Sequence, residues 1–187
     1  SALFIDADNN RTRYVYVYSR NEAGEWLLQQ KLSTVDGESF NSAISMYGDT
    51  AMVGGLKAGS GIVFVYNKDD SGFWSLTEKL IASDNGYGGF GYSISLQENR
   101  ALIGAYGADD EGKHIGQAYI FERDEDGLWV EQQILTATTP QFYDQFATKV
   151  SLSGDTVLIS AAGDTTNGNW AGAAYVFQYH QNVDPFW

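Results

Sequence analysis

The chain has 187 residues, 43% of them hydrophobic, with 21 Gly, 2 Pro and no Cys, and its 24 Asp+Glu outweigh 11 Lys+Arg for a formal charge of −13. This length and apolar content suit one globular domain with a sizeable core and exclude wholesale disorder. No apolar run is long enough for a membrane-spanning helix, the lack of Cys excludes disulfides and thiolate sites, and the acidic balance argues against nucleic acid and anionic membranes as partners.

In chain order the sequence predicts short strands and no helix. Ala2-Leu3-Phe4-Ile5 is followed by the period-two aromatic stripe Tyr14-Val15-Tyr16-Val17-Tyr18, then by the corner Gly24-Glu25-Trp26. Phe40 opens a second unit: Ala43–Met46 alternates, Tyr47-Gly48-Asp49-Thr50 turns, and Thr50–Gly54 is a second strand. Ile62–Tyr66 is a β-branched and aromatic third strand, Asp69-Asp70-Ser71-Gly72 turns, and Trp74–Leu80 alternates as a fourth. The markers recur in register: Gly72-Phe73-Trp74 and Gly127-Leu128-Trp129 repeat the corner, with Asp184-Pro185-Phe186-Trp187 as an altered copy. Phe90 and Phe146 repeat Phe40, while Ala51-Met52-Val53-Gly54, Ala101-Leu102-Ile103-Gly104 and Val157-Leu158-Ile159-Ser160 repeat an apolar quartet that Ala2–Ile5 also matches.

A unit of four short antiparallel strands recurring about every 50 residues is the sequence form of a β-propeller blade. The chain therefore reads as all-β, a propeller or partial propeller of four-stranded antiparallel blades. One repeat domain spans 1–187, with a partial blade at about 1–39, blades at 40–89 and 90–145, and a partial blade at 146–187. The strand count by unit is three, four, four and three. Small residues near each opening Phe suit a crowded inner strand, and the aromatic third strands suit the gaps between blades.

Phe90-Gly91-Tyr92-Ser93-Ile94, Leu102-Ile103-Gly104-Ala105 and Gly116-Gln117-Ala118-Tyr119-Ile120-Phe121 resemble the FG-GAP repeat, as do Val150–Ile159 and Ala171–Phe177. The likeness covers essentially the whole chain and is closest to the secreted bacterial type. It implies the integrin α-like β-propeller and an extracellular or cell-surface location. Only Phe90-Gly91 keeps the literal Phe-Gly, and the Ala-Pro of the motif is absent. In the integrin-like pattern calcium sits in an Asp-rich loop between the first and second strands. Here those loops are Tyr47–Thr50, Gln97–Arg100 and Ser153–Thr156, too short for five or more oxygen ligands. No cofactor is expected, and the resemblance's calcium sites are not carried over.

The partial end blades imply open sheet edges, which invite strand addition. The expectation is self-association, or a remainder of a longer chain that completes the ring. Ligand sites are expected on the loop face, formed by Asp6–Arg13, Leu56–Gly61, Tyr106–Gly116 and Ala162–Gly172 together with Ser33–Ser39, Ser83–Gly89 and Thr136–Gln145. Asp6, Asp8 and Asn10 place oxygens at alternating positions, as a calcium loop begins, but lack its Gly and downstream Glu, so a solvated turn competes. Asp109-Asp110-Glu111-Gly112 beside His114 admits metal binding, acid/base work or an acidic hairpin tip. Trp170, with Asn167, Asn169 and Tyr106, could form an aromatic-and-amide surface for a sugar, or pack on a neighbouring blade; Phe142 and Tyr143 carry the same two readings. His114 and His180 have no Ser or Asp partner at a catalytic spacing, and no nucleophile elbow or phosphate loop occurs. The expected function is that of a non-enzymatic extracellular binding or structural module, recognising protein or glycan at its loops or self-assembling. The alternatives are a lectin-like module using loop aromatics and a fragment of a secreted polysaccharide-active enzyme.

Overall fold

A computed structural model describes residues 2–5, 11–35, 37–84, 88–107 and 114–180. Among them are fourteen strands and no helix. The first sheet holds β1 (Ala2–Ile5), β2 (Arg11–Arg20) and β3 (Trp26–Leu32), and the second β4 (Glu38–Tyr47), β5 (Thr50–Lys57), β6 (Ser60–Lys68) and β7 (Trp74–Leu80). The third holds β8 (Ser93–Gln97), β9 (Arg100–Ala105), β10 (Gln117–Arg123) and β11 (Trp129–Leu135), and the fourth β12 (Phe146–Ser153), β13 (Thr156–Ala161) and β14 (Ala173–Gln178). Each strand pairs antiparallel with its sequence neighbours, so every sheet is a meander, as the alternation predicts.

Three local devices repeat. The corner before the outer strand is a side-chain-closed turn: Asp69 Oδ1 accepts the N–H groups of Ser71 (2.9 Å) and Phe73 (2.9 Å), and Asp124 Oδ1 those of Asp126 (3.0 Å) and Leu128 (2.8 Å). Gly24, Gly72 and Gly127 complete these corners at φ of 86°, 85° and 80°, which a side chain would strain. A bulge between the third and outer strands falls at Val17/Tyr18, Val65/Tyr66 and Ile120/Phe121. Each opening Phe packs edge-on against its own third strand: Phe40 on Phe64 (5.3 Å), Phe90 on Tyr119 (5.2 Å) and Phe146 on Tyr175 (5.3 Å).

The bulges fix the equivalence of sheets and correct one expectation. Ala51, Ala101 and Val157 pair with Tyr66, Phe121 and Phe177, but Ala2 pairs with Tyr14, four residues before the equivalent Tyr18. Ala2–Ile5 is thus a second strand by topology without being the counterpart of the quartet at Ala51. Four apolar residues fix a strand's existence but not its register, because cross-strand contacts set that.

The sheets stack face to face. One face of the second sheet (Phe40, Val53, Ile62, Phe64, Tyr66, Trp74) packs on Val15 and Leu32 of the first. Its opposite face (Met52, Val63, Val65, Leu80) packs on Phe90, Ile103, Tyr119, Phe121 and Trp129 of the third. Leu102, Ala118, Ile120 and Leu135 behind the third sheet then meet Phe146, Val157 and Ile159 of the fourth. We call the side facing the preceding sheet the front and the other the rear. Middle strands such as Ile62–Tyr66 are apolar at every position because alternate residues serve two interfaces. Polar links reinforce the stack: the Leu96 N–H donates to Ser45 Oγ (2.9 Å) and the Leu152 N–H to Ser95 Oγ (2.9 Å). At the outer strands the corner Trp74 N–H donates to Gln30 Oε1 (2.8 Å) and the Trp129 N–H to Glu78 Oε2 (3.0 Å).

Tyr66 breaks this economy. It stands where the third and fourth sheets carry Phe121 and Phe177, and its hydroxyl is buried with no partner among the described residues. Burial, with Glu38 as a lesser cause, pushes its pKa from 10.0 up to about 12. The Tyr66→Phe variant should gain about 1 kcal/mol, read as a higher urea midpoint at pH 7. A raised phenol contributes stability that is complete below its unfolded value and is lost as pH rises through the folded one. The variant should therefore also lose less stability than the parent between pH 10 and about 12. A lower midpoint at pH 7 would show that the hydroxyl has a partner.

Candidate binding face

The meander puts the first-to-second-strand turns at one end of the stack and the second-to-third-strand connections, with the links between sheets, at the other. The first end is closed by two-residue turns at Gly48-Asp49, Glu98-Asn99 and Gly154-Asp155. Their acidic groups are engaged: Asp49 pairs with Lys68 (2.6 Å), and Arg100 bridges Asp155 (2.8 Å) and Glu122 (2.6 Å). A cavity of about 350 Å³ there is lined by Gln97, Glu98, Arg100, Glu122, Arg123 and Asp155, and the Arg100 pairs with Glu122 and Asp155 form part of its wall.

The opposite end is uneven. The connection expected over Leu56–Gly61 is only the hairpin turn Ala58-Gly59, with both residues at positive φ, as a two-residue turn between twisted strands requires. The long described connections are 136–145, before the fourth sheet, and 162–172, within it. Two buried aspartates organise them. Asp144 Oδ2 accepts the Gln141 N–H (2.8 Å), and its carbonyl accepts the Gly163 N–H (2.9 Å), tying one loop to the other. Its Oδ1 is buried and takes no hydrogen bond from a described residue. Asp164 Oδ1 accepts the Thr166 N–H (2.8 Å), its carbonyl accepts the Gly172 N–H (2.9 Å), and Oδ2 accepts the Tyr175 hydroxyl (3.1 Å). The Thr166 hydrogen bonds hold the Asp164 carboxyl below its ordinary value, and burial, with Asp164 next, pushes the Tyr175 phenol up.

From these anchors Phe142, Tyr143 and Trp170 project with 63%, 53% and 67% of their surface exposed. Tyr143 (φ 64°) and Trp170 (φ 53°) hold left-handed backbone, a placement that costs about 1 kcal/mol or more and that the anchored loops enforce. The His114 ring stacks on Tyr143 at 5.8 Å and 17°. The structure thus joins the loop of Phe142 and Tyr143 to the loop of Asn167, Asn169 and Trp170, with both Asn residues exposed. Trp170 is open to solvent rather than packed on a neighbouring sheet. Tyr106 packs on Tyr92 (4.4 Å), and the next residue, Gly107, donates its N–H to the Gly88 carbonyl (2.9 Å) and lies against His114, the ring that stacks on Tyr143. Asp6, Asp8 and Asn10, like Asp109-Asp110-Glu111, lie outside the described residues. Among the described residues no group of three or more His, Asp or Glu could hold a metal ion.

The sequence reading passed over Asp144, Asp164 and the pairing of His114 with Tyr143. Asp164-Thr165-Thr166 does carry a signal, since an Asp two residues before an N–H donor favours a side-chain turn. Nothing local marks Asp144, whose role depends on the other loop.

Two segments, residues 74–121 and 129–177, match the sequence model of the FG-GAP repeat, and together they span just over half of the chain. The chain belongs to the FG-GAP repeat family. Each match runs from a corner Trp through the outer strand and on to the third strand of the following sheet, so the matched unit straddles a sheet boundary. A search of curated proteins finds no match. FG-GAP repeats build β-propeller-like structural or binding modules typical of extracellular proteins, and the four stacked antiparallel sheets here have that form. No helix among the described residues is long and apolar enough to cross a membrane.

Proposed function

We propose that this FG-GAP chain is a non-enzymatic extracellular binding module that recognises a partner through the loop face at the third and fourth sheets. The observation that carries the reading is the exposed trio Phe142, Tyr143 and Trp170, held in water by loops anchored on buried Asp144 and Asp164. Exposed rings on an anchored backbone lose little side-chain entropy on binding, which is how aromatic residues come to dominate recognition surfaces. The partner is an extracellular protein or a glycan. Asn167 and Asn169 beside Trp170 favour the lectin-like form, in which an indole takes the apolar face of a sugar and amides take its hydroxyls.

The test is a screen of immobilised extracellular proteins and glycans against the parent chain, then against Trp170→Ala and Phe142→Ala. Both residues are exposed, so the variants should keep the parent's thermal midpoint while binding falls at least tenfold for Trp170→Ala. Unchanged affinity in both variants would place recognition elsewhere.

A further inference from the structure

At the end closed by the two-residue turns, the third sheet departs from its neighbours at every position that faces the cavity. The turn opens on Gly48 (φ 55°) in the second sheet and on Gly154 (φ 54°) in the fourth, but on Glu98 (φ 50°) in the third. Left-handed backbone suits glycine and strains glutamate, so the turn itself gives no reason for a side chain at 98. The next departure concerns an ion pair. In the second sheet the Lys68 N–H donates to the Asp49 carbonyl (2.8 Å), and the two side chains pair at 2.6 Å. In the third sheet the Arg123 N–H donates to the Asn99 carbonyl (2.9 Å), so Arg123 stands in the place of Lys68 and an amide in the place of the Asp49 carboxylate. Arg123 is thus left with neutral acceptors among the described residues: the Gly127 carbonyl (2.6 Å), Thr50 Oγ1 (3.1 Å) and Asn67 Oδ1 (3.2 Å), with the Trp129 ring beneath it (4.8 Å). Glu98 is the converse, an exposed carboxylate that meets the Tyr47 hydroxyl at 3.5 Å and pairs with no cation among the described residues. Both reach the same neighbour, since Tyr47 and Thr50 are the cross-strand pair flanking the second-sheet turn.

We propose that this cavity binds a small zwitterion, a free amino acid or short peptide, whose carboxylate takes on Arg123 the place that Asp49 holds on Lys68 and whose ammonium group meets Glu98. The two open charges line the cavity together, and its other charges are closed on one another through Arg100, which holds Glu122 (2.6 Å) and Asp155 (2.8 Å). That triad is also peculiar to the third sheet, because Arg100 and Glu122 stand where the second sheet pairs Thr50 with Asn67 and the fourth Thr156 with Gln178. It walls the cavity with charges that do not compete for the ligand. The volume of about 350 Å³ falls within the range of about 300–1,000 Å³ usual for small-molecule sites. A simple anion would satisfy Arg123 and be repelled by Glu98, and a simple cation the reverse; a ligand with both groups makes a charge-assisted hydrogen bond at each. The site lies at the opposite end of the stack from Phe142, Tyr143 and Trp170 and does not depend on the reading of that face.

The test is a titration of the isotope-labelled chain with serine, glycylglycine and triglycine, read by nuclear magnetic resonance. At least one of these probes should move the main-chain amides of Gln97–Arg100 and of Glu122 and Arg123 in a saturable way. The N-acetylated and the C-amidated forms of that probe should each bind at least tenfold more weakly, since each lacks one of the two charges. Glu98→Gln and Glu98→Gly should weaken the parent probe by a similar factor. Glu98 is exposed, and glycine relieves its left-handed backbone, so Glu98→Gly should keep or raise the urea midpoint while it loses the ligand. No saturable shift with any of the three probes, shifts centred away from this cavity, or undiminished binding of either capped form or by either variant would overturn the proposal.

Discussion

Phe90→Ala should remove about 3–5 kcal/mol of stability, the range for deleting a fully buried aromatic ring. Phe90 has no exposed surface and packs against Tyr119 and Phe121 at 5.2 and 5.9 Å, inside the core shared by the second and third sheets. The lost transfer energy is joined by a cavity term, since the rings around it belong to two sheets whose backbones are fixed by their own ladders. Domains of this size are stable by about 5–15 kcal/mol, so the variant would sit near the edge of folding at room temperature. Urea titration followed by circular dichroism measures the loss, with Phe73→Ala as the control because Phe73 is 56% exposed. Equal, small losses in both variants would mean that the opening Phe is not the keystone of the blade.

The second large effect comes from adding one methyl group. Gly104→Ala places a Cβ on the carbonyl oxygen of Ala147 and the hydroxyl of Ser93, which itself donates to that carbonyl at 2.8 Å. The obstruction is the backbone of the next sheet, which cannot rotate away as a side chain would. We expect a loss of about 2–3 kcal/mol after the modest gain from a stiffer unfolded chain. Ser160→Ala, at the same position in the fourth sheet, should cost less than about 1 kcal/mol, since among the described residues no next-sheet backbone lies over it and the Lys149 N–H that donates to its Oγ (2.9 Å) belongs to an exposed residue. The pair measured side by side reports the close approach of neighbouring sheets. A tolerated Ala at position 104 would mean that the third and fourth sheets stand further apart.

The sequence exposed the repeat because the same physical demands recur in each sheet. A corner needs Asp or Asn, then Gly at positive φ, then a Trp that the previous outer strand holds; a sheet covered on both faces needs an unbroken apolar third strand. These demands are local or pairwise, so Gly72-Phe73-Trp74 and Ile62–Tyr66 announce them in one dimension. The register of β1 was not legible, because Ala2–Ile5 satisfies the apolar pattern at either of two offsets and only pairing with β2 decides. At the candidate site, Trp170, Phe142 and Tyr143 stood out as departures from the repeat. The joining of their loops did not, because it runs through the main chain of Asp144 and Gly163, and a backbone hydrogen bond leaves no mark on residue type. The contact of the Tyr106 loop with His114, through Gly107, was equally hidden, because a glycine's close approach carries no chemical signature in the sequence.

Each sheet packs its rear face on the front face of the next, from the first to the fourth. The most direct measurement of that packing is the set of nuclear Overhauser contacts made by the ring of Phe90. Rear-to-front packing predicts contacts with Met52, Val63 or Val65 of the second sheet as well as with Tyr119 and Phe121 of the third. Contacts confined to the third sheet would contradict it.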